Sequence, residues 1–194
     1  MIYFDNAATT RVSDTAAKAA LSAMTELYAN PSSAHAFGFE AEKALRAARA
    51  AVLAALGFTP SEGSLVFTGS GSEADNLALR GAAHALARRG KHIVLSDSEH
   101  PAVENTAKDL EKEGFTVSRI STGGGKLDLD EARAVLTSDT ILVSCMAVNN
   151  ETGAIYDIPS LASLVKALCP HALFHTDAVQ AFTKISAGAW KKAD

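Results

Sequence analysis

Cysteine is scarce in this chain, since Cys145 and Cys169 are the only two among 194 residues. Two cysteines are too few for a disulfide framework and indicate a reducing environment. No apolar run comes near the roughly 20 residues that a membrane-spanning helix needs. The first residues also lack the cationic and apolar regions of a signal peptide. The sequence therefore predicts a cytoplasmic protein without a membrane partner, in which both cysteines are packing residues rather than nucleophiles.

An excess of charge of one sign is also missing. The chain has 18 basic and 22 acidic residues, which gives a net charge of −4. This weak imbalance gives no reason to expect nucleic acid or an anionic membrane as a partner. Hydrophobic residues make up 47% of the chain and charged residues 21%, a composition typical of a globular domain. The sequence also lacks internal repeats, low-complexity tracts and linkers.

From residue 64 onward, strand-like and helix-like segments alternate. Strands are predicted at 64–68, 92–96, 115–120, 140–147 and 172–176, and helices at 72–89, 99–113, 129–137 and 158–169. This alternation predicts a mostly parallel sheet with helices on both faces, which is a three-layer α/β sandwich. The almost wholly apolar segment 140–147 is typical of a strand buried on both faces.

Two further helices are predicted upstream of the alternating region. Ser13 or Asp14 can cap a helix that runs to about Tyr28. A second helix over 38–56 ends at Gly57, a residue suited to the left-handed position after a helix.

Polar turns follow the predicted strands at their carboxyl ends. These turns are Gly69-Ser70-Gly71-Ser72, Glu99-His100, Asn149-Asn150-Glu151 and Asp177-Ala178-Val179-Gln180. Because the carboxyl ends of parallel strands converge on one crevice, we expect the four turns to form one binding site. Their groups can hold a phosphate, stack on a planar ring and place a carboxylate beside a ring nitrogen. The sequence therefore predicts a site for an aromatic phosphate cofactor.

The glycine turn at 68–72 leads directly into a predicted helix. Ser72 and Asp75 fit a capping box, and the glycines let backbone amides face outward. A helix amino terminus with free amides binds anions. The alternative is a tight turn that needs glycine for its backbone angles alone. The turn matches neither the P-loop nor the dinucleotide fingerprint.

His100 opens a predicted helix directly beyond a strand. Its imidazole there can stack on a flat ligand and exchange protons near neutral pH. The alternative is a surface histidine near a helix start. His35, which follows Pro31-Ser32-Ser33, is a similar but weaker candidate for such a role. In contrast, His84, His92 and His171 are predicted to be solvated.

Asp177 follows the last predicted strand. An acid at the end of a buried strand is costly unless it meets a cation or several donors, and a protonated pyridine nitrogen is such a cation. The alternative is that Asp177 caps the following turn. A zinc site is not expected, because His175 and Asp177 lie two residues apart with no third ligand nearby. Asn150, after the most buried strand, can offer an amide to a ligand.

Together these residues resemble the amino-terminal half of a cysteine desulfurase, in the class V aminotransferase branch of the fold type I pyridoxal-phosphate enzymes. The matching stretches run from end to end in family order: YFDNAATT at 3–10, NPSSAHAFG at 30–38, FTGSGSEADN at 67–76, SEHPAV at 98–103, VNNETG at 148–153 and HTDAVQ at 175–180. The set is specific to the family, although each piece alone is not.

The resemblance implies pyridoxal 5′-phosphate as the cofactor. Gly71 and Ser72 would bind its phosphate, although the family more often has Ser-Gly-Ala/Gly-Thr at this turn. His100 would stack on the pyridine ring and act as the catalytic group for proton transfer. Asp177 would pair with the protonated ring nitrogen and keep the ring an electron sink.

The remaining site residues follow from the same resemblance. Gln180 would reach the phenolic oxygen of the cofactor, and Asn150 would lie close to that oxygen and to the substrate. Asn6, Asn30 and His35 would lie near the substrate entrance. No metal is implied.

The resemblance also implies a domain organisation. Residues 1–15 would be an amino-terminal segment near the active site or small domain, and 16–194 an incomplete cofactor-binding large domain. Because the chain stops just after a strand and its turn, we expect it to be the front part of a longer protein. The Schiff-base lysine of the family would lie beyond Asp194, and Lys184, Lys191 and Lys192 have the wrong context. We therefore expect residues 1–194 to be inactive alone.

The expected activity of the complete protein is removal of sulfur from L-cysteine, which leaves alanine and an enzyme persulfide for iron–sulfur cluster or thio-cofactor assembly. The expected partners are L-cysteine, a sulfur-acceptor or scaffold protein, and a second copy in a homodimer. The alternatives are another class V enzyme, either a selenocysteine lyase or a small-amino-acid aminotransferase, and an inactive scaffold fragment.

Overall fold

The computed structural model describes residues 2–194. The chain divides into two compact units, one ending at Val66 and the other comprising Phe67–Asp194. The predicted assignment of 1–15 and 16–194 stays a prediction, and Met1 lies outside the described residues. No helix within 2–194 is long and apolar enough to cross a membrane.

Two helices form the regular structure of residues 2–66 in the first unit. Helix α1 is Asp14–Thr25 and helix α2 is Ala36–Ala55. Ser13 caps α1, because its hydroxyl accepts a hydrogen bond from the Ala16 amide at 3.2 Å. None of the described residues of α1 is buried. The helix therefore has an apolar surface that stays exposed within the described chain.

Helix α2 ends as the sequence predicts. Gly57 has a φ of 82°, the left-handed conformation that glycine adopts without a steric cost. The Phe58 amide donates to the Leu53 carbonyl at 2.9 Å, and the Gly57 amide donates to the Ala54 carbonyl at 3.0 Å. These two bonds make a Schellman motif, which satisfies carbonyls that the helix end leaves without partners.

The second unit contains four strands and four α-helices, besides two 3₁₀ helices of three residues each. In chain order they are α3 (Gly71–Leu86), β1 (His92–Ser96), α4 (Pro101–Lys112), β2 (Thr116–Ile120), α5 (Leu129–Val135), β3 (Thr140–Ser144), α6 (Ile158–Leu168) and β4 (Leu173–His175). The strands form one sheet in the order β2-β1-β3-β4, and every neighbouring pair is parallel. His92 lies opposite Thr116, and Val143 lies opposite Phe174.

The sheet is covered on both faces. All residues of β1 and β3 are buried. Leu79 of α3 and Val103 of α4 join Ile93 and Ile141 of the sheet in one core cluster. From β1 the chain moves to β2 on one side of the sheet order, and from β2 it moves back across β1 to β3 and then to β4. Because such crossovers are right-handed, α4 lies on one face of the sheet, and α5 and α6 lie on the other face. The predicted three-layer α/β sandwich with a parallel sheet is confirmed.

The strand predicted at 64–68 is wrong. These residues form no regular element, and the side chains of Val66 and Phe67 are 66% and 48% exposed. A strand forms only where its amides and carbonyls pair with a neighbouring strand, and no strand of the described chain pairs with this segment. The apolar pattern alone is therefore insufficient for a strand here.

His92 was predicted to be solvated, but it is buried. Its Nδ1 lies 2.8 Å from the Thr140 hydroxyl, and its Nε2 lies 2.9 Å from the Ser118 hydroxyl. Burial lowers the pKa of His92, against the raising effect of the Asp139 charge. Both hydroxyl partners come from neighbouring strands that are distant in sequence, so local context did not reveal them.

Asp194 lies along the outer edge of β4. The Phe174 amide donates to the Asp194 carboxylate at 2.9 Å, and the Asp194 amide donates to the Phe174 carbonyl at 2.8 Å. The Lys166 ammonium also donates to this carboxylate at 2.8 Å. The edge of β4 is therefore hydrogen-bonded to the chain around residue 194.

Candidate active site

The loops after β1 and β3 part at the carboxyl edge of the sheet. These two strands are neighbours, but the chain leaves them in opposite directions, which makes the gap between them a topological switch point. The Asn149 side-chain amide donates to the Ser98 carbonyl at 3.1 Å and links the two loops. A pocket of about 900 Å³ opens here, and Glu99, Asn150 and Tyr156 are among the residues that line it. Asn150 therefore lies at the predicted edge of the sheet.

The N-cap of helix α3 lies two residues before the predicted cap. Ser70, not Ser72, is the N-cap: its backbone is extended and its hydroxyl accepts from the Glu73 amide at 3.2 Å. The Glu73 carboxylate accepts from the Gly69 amide at 2.7 Å. The predicted capping box of Ser72 and Asp75 is therefore wrong.

This corrected cap leaves two amides available. The Glu73 amide is bonded to the Ser70 hydroxyl and the Ala74 amide to the Ser70 carbonyl. The amides of Gly71 and Ser72 have no acceptor within the described residues, as expected for the first two positions of a helix. Two adjacent amides at the positive end of a 16-residue helix are suited to binding an anion.

Gly71 allows a close approach between α3 and the turn after β4. A side chain at this position would place its Cβ 3.3 Å from Cγ2 of Val179. Gly71 is not among the residues with a positive φ, so the glycine is not required for unusual backbone angles. The structure therefore brings the start of α3 and the 177–180 turn together.

Asp177 is buried beside this contact, with 8% of its surface exposed. Burial raises the pKa of its carboxyl, against the lowering effect of the hydrogen bond that the Val179 amide donates at 2.9 Å. The charge of Asp75 raises this pKa further, and the charges of His175 and His100 lower it. Asp177 therefore caps its own turn, and a cation beside it would stabilise the ionised form.

His100 is the N-cap of α4. Its Nδ1 accepts a hydrogen bond from the Ala102 amide at 3.1 Å, and Pro101 occupies the first helical position. The side chain is partly buried, and its charge acts on Asp177. Because Nδ1 accepts, the neutral ring carries its proton on Nε2. The cap therefore fixes the orientation and the tautomer of the imidazole.

Glu99 is a functional candidate to which the sequence analysis assigns no role of its own. Its Oε1 accepts from the Ser96 hydroxyl at 2.6 Å and from the Met146 amide at 2.8 Å. Its Oε2 is buried and has no hydrogen-bond partner within residues 2–194. Burial raises the pKa of Glu99 to about 7, against lowering effects that include the Ser96 hydrogen bond and the His175 charge. The sequence does contain a signal for this role, because Glu99 is an acid that lies between an apolar strand and a helix cap.

Both cysteines are buried and free, as predicted. Burial raises the pKa of the Cys145 thiol, and the nearby charge of Glu99 raises it further. Burial also raises the pKa of Cys169, whose thiol donates to the Thr137 carbonyl at 3.1 Å. A high thiol pKa disfavours the thiolate, so neither residue is suited to nucleophilic attack.

Glu99→Gln is expected to change how stability depends on pH. Glu99 titrates at 4.5 ordinarily and at about 7 in the folded protein, so between these values the folded state holds a proton that the unfolded state has lost. Its contribution to stability therefore falls by roughly 3 kcal/mol as the pH rises through this window. Glutamine stays neutral and removes this fall. Denaturant unfolding of both proteins at about pH 5 and about pH 8 measures the difference.

Glu104→Gln is the control for this prediction. Burial alone would raise the pKa of Glu104, but the hydrogen bonds and charges of Arg119 and Lys108 together outweigh burial and lower it. Glu104 therefore stabilises the fold above its ordinary pKa and loses that effect as the pH falls, the opposite sign to Glu99. Parallel stability curves for wild type and Glu99→Gln would show that Glu99 does not titrate in this range.

The structure gives local contacts to the other predicted site residues. The Gln180 side-chain oxygen accepts from the Lys184 ammonium at 2.7 Å. Within the first unit, the Asn6 carbonyl accepts from the Thr10 hydroxyl, the Asn30 side chain accepts from the Ser32 amide, and His35 Nδ1 caps α2 by accepting from the Gly38 amide. The predicted roles of Asn6, Asn30, His35 and Gln180 stay predictions. Within residues 2–194, no group of three or more His, Cys, Asp or Glu side chains has the arrangement of a metal site.

Known proteins match this chain in sequence. The cysteine desulfurase of Trichormus azollae is 47% identical over 186 residues, which are 95% of this chain and 45% of that protein. The cysteine desulfurase IscS of Neisseria meningitidis serogroup C is 41% identical over the same shares of the two chains. The chain thus spans about half the length of the curated relatives it matches.

Solved structures match the fold. A NifS-like protein superposes with a TM-score of 0.87 at 38% identity, over 93% of this chain and 49% of that one. The structure of SspA in complex with cysteine superposes with a TM-score of 0.85 at 33% identity, over 96% of this chain and 54% of that one. The predicted architecture of a fold type I large domain is confirmed by these matches. The sequence model of aminotransferase class V matches residues 2–189, and the chain therefore belongs to the class V aminotransferase family.

Proposed function

We propose that the complete protein is a pyridoxal-phosphate-dependent cysteine desulfurase, which takes the sulfur of L-cysteine and leaves L-alanine. One observation carries the proposal: the free amides of Gly71 and Ser72, the capped ring of His100 and the buried acid Asp177 are grouped at the carboxyl edge of the sheet. The cysteine desulfurases among the relatives support the choice of reaction. The SspA structure with bound cysteine supports the choice of substrate.

The residues present fit this cofactor. A phosphate requires an anion site, and the start of α3 offers two unpaired amides and the positive end of a helix. A protonated pyridine requires an acid, and Asp177 is buried close enough to His100 for their charges to interact. The 3.3 Å approach of a Cβ at Gly71 to Val179 brings the anion site and the turn of the acid together.

The protein groups would act by binding, charge and proton placement. When bound, pyridoxal phosphate supplies an electron-accepting ring. Asp177 would hold a proton at the ring nitrogen, because a neighbouring cation favours the carboxylate that burial disfavours. His100 would lie against the ring and present the proton on Nε2 as a donor. Its Nδ1 stays bonded to the Ala102 amide, so Nε2 can take up a proton only after losing the one it carries.

The side-chain amides of Asn150 and Gln180 would complete the contacts to the cofactor ring. We propose that Gln180 reaches the phenolic oxygen and that Asn150 lies close to this oxygen and to the substrate. Gln180 would exchange its bond to Lys184 for this contact. Asn6, Asn30 and His35 would line the substrate entrance.

Transfer of sulfur needs a thiolate of the protein. This thiolate would form a bond to the substrate sulfur while the carbon–sulfur bond breaks, and the substrate carbon would take a proton, which yields alanine and a persulfide. Cys145 and Cys169 are unsuited to this step, because burial raises the pKa of both thiols. We therefore propose that the accepting thiol and the lysine that binds the cofactor lie outside residues 1–194. The persulfide would pass to a scaffold protein for iron–sulfur cluster or thio-cofactor assembly, from a cytoplasmic homodimer.

The test is product analysis with the complete protein and pyridoxal phosphate. Incubation with L-cysteine and a reductant is expected to give equal amounts of alanine and sulfide, and L-serine is the substrate control. Amino transfer from alanine to a keto acid, without sulfide, would show an aminotransferase instead. Release of selenide from selenocysteine, without reaction of cysteine, would show a selenocysteine lyase.

A further inference from the structure

His175 links the elements that carry the proposed cofactor contacts. It lies on β4, and its Nδ1 is 2.9 Å from the hydroxyl of Ser144 on β3. Its Nε2 is 3.5 Å from the carboxylate of Asp75 on α3. The side chains of His175 and Asp75 are only 16% and 8% exposed. One buried imidazole therefore joins two neighbouring strands to the helix that packs on them.

The groups that the proposed function uses lie at or next to the ends of these elements. Asp177 follows His175 by two residues, so the extended chain directs both side chains to the same face. Asp75 lies about one helical turn after Gly71 and Ser72, whose amides are unpaired in the described chain. The contact between His175 and Asp75 therefore connects Asp177 to the first turn of α3 through two neighbouring side chains.

The charges around His175 favour the same arrangement. The charge of Asp177 raises the pKa of Glu99, the charge of Asp75 raises that of Asp177, and the charge of His175 lowers the pKa of both Glu99 and Asp177. The Asp75 carboxylate lies at ion-pair distance from Nε2, so a proton on Nε2 faces the acid. The Ser144 hydroxyl donates to Nδ1 of the neutral ring or accepts from the protonated ring. His175 is therefore a polar group of the kind that a buried acid requires nearby.

We propose that His175 is a positioning residue that holds Asp177 and the first turn of α3 at a fixed separation. What these two groups bind rests on the proposed function. The positioning itself is a property of the protein without cofactor. Loss of His175 would free the turn after β4, in which the Val179 amide bonds to Asp177.

His92 provides a matched control. It is also a buried histidine of this sheet, and it also bonds to the hydroxyl of a neighbouring strand, Thr140 on β3. It lies at the amino end of its strand, whereas His175 lies at the carboxyl end. The two residues therefore share burial and bonding but differ in distance from the proposed site.

The experiment compares His175→Gln with His92→Gln in the complete protein. Hydrogen exchange of the Val179 amide without cofactor, followed by nuclear magnetic resonance or mass spectrometry, reports the position of Asp177. We expect His175→Gln to speed this exchange about tenfold, the effect of losing one supporting hydrogen bond. Absorbance titration with pyridoxal phosphate is expected to show about tenfold weaker binding. His92→Gln is expected to lower the melting temperature while leaving both quantities unchanged.

Ser144→Ala and Ser118→Ala provide a second pair if a histidine variant does not fold. Each removes one hydroxyl partner, of His175 and of His92 respectively. Unchanged Val179 exchange in both His175→Gln and Ser144→Ala would overturn the proposal. Equal effects of the two members of a pair would also overturn it, because they would indicate general destabilisation. Selective Val179 exchange in a protein that binds no pyridoxal phosphate would support the positioning and refute the proposed function.

Discussion

Asp177→Asn is expected to lower turnover of the complete protein by at least about a hundredfold, a scale typical of losing one preorganised electrostatic partner. Asparagine keeps the shape and can still accept from the Val179 amide, but it has no charge to hold a proton on the ring nitrogen. Because burial raises the pKa of Asp177, removing the charge should not destabilise the protein without cofactor. Turnover of L-cysteine, the absorbance of the bound cofactor and melting of the apo-protein measure these effects.

Asp157→Asn is the control for the Asp177 prediction. Asp157 also accepts one backbone amide, that of Ser160 at 3.1 Å, as the cap of α6. It is expected to leave turnover and cofactor absorbance unchanged. Activity near wild type for Asp177→Asn, with an unaltered cofactor spectrum, would exclude the proposed role of the acid.

Gly71→Val is expected to weaken binding of pyridoxal phosphate by about tenfold or more, since crowding of a packed position costs about 1–3 kcal/mol. A Cβ at residue 71 would already lie 3.3 Å from Val179, and the branched side chain would also crowd the phosphate. The effect on folding should be smaller, because Val179 is 59% exposed and can move away. Absorbance titration and thermal melting of the apo-protein are measured together.

Two serine variants serve as controls for the Gly71 prediction. Ser70→Ala removes the cap of α3 and should lower stability by about 1 kcal/mol, while both free amides remain. Ser72→Ala removes one hydroxyl at the proposed phosphate site and should weaken cofactor binding by about 1 kcal/mol. If Gly71→Val lowers the melting temperature as Ser70→Ala does and leaves affinity unchanged, the turn has a structural role only.

The sequence predicted the elements whose signals are local. The strands β1 and β3 are continuous apolar runs, and such runs are buried wherever helices cover both faces of a sheet. Gly57 ends α2 because the left-handed position after a helix is a local requirement. The parallel sheet and its three layers followed from the alternation of strand-like and helix-like segments along the chain.

The errors concern features that depend on distant partners. Residues 64–68 have the composition of a strand, but a strand needs a neighbour that composition does not reveal. His92 is buried because Thr140 and Ser118 come from two other strands. The cap of α3 is a smaller error: Ser70 and Ser72 both fit a cap, and only backbone angles distinguish them.

The candidate site was predictable to a similar degree. Because polar turns at strand ends converge in a parallel sheet, the grouping of His100 and Asp177 followed from order along the chain. Gly71 follows no strand of the described chain, and its approach to Val179 depends on tertiary packing. The link from His175 to Asp75 and Ser144 did not, since it joins side chains of three separate elements. The tautomer of His100 likewise depends on the hydrogen bond from the Ala102 amide to Nδ1, which only the folded structure reveals.

The contact of Asp194 with β4 has a consequence for self-association. Edge strands with unpaired amides and carbonyls are templates on which other chains aggregate. β4 has three residues, and Phe174 is the one whose amide and carbonyl both bond to Asp194. Lys166 holds the same aspartate, so the edge is protected by both a backbone bond and a charge. A strand that pairs with Phe174 at this edge must therefore displace the two bonds between Phe174 and Asp194.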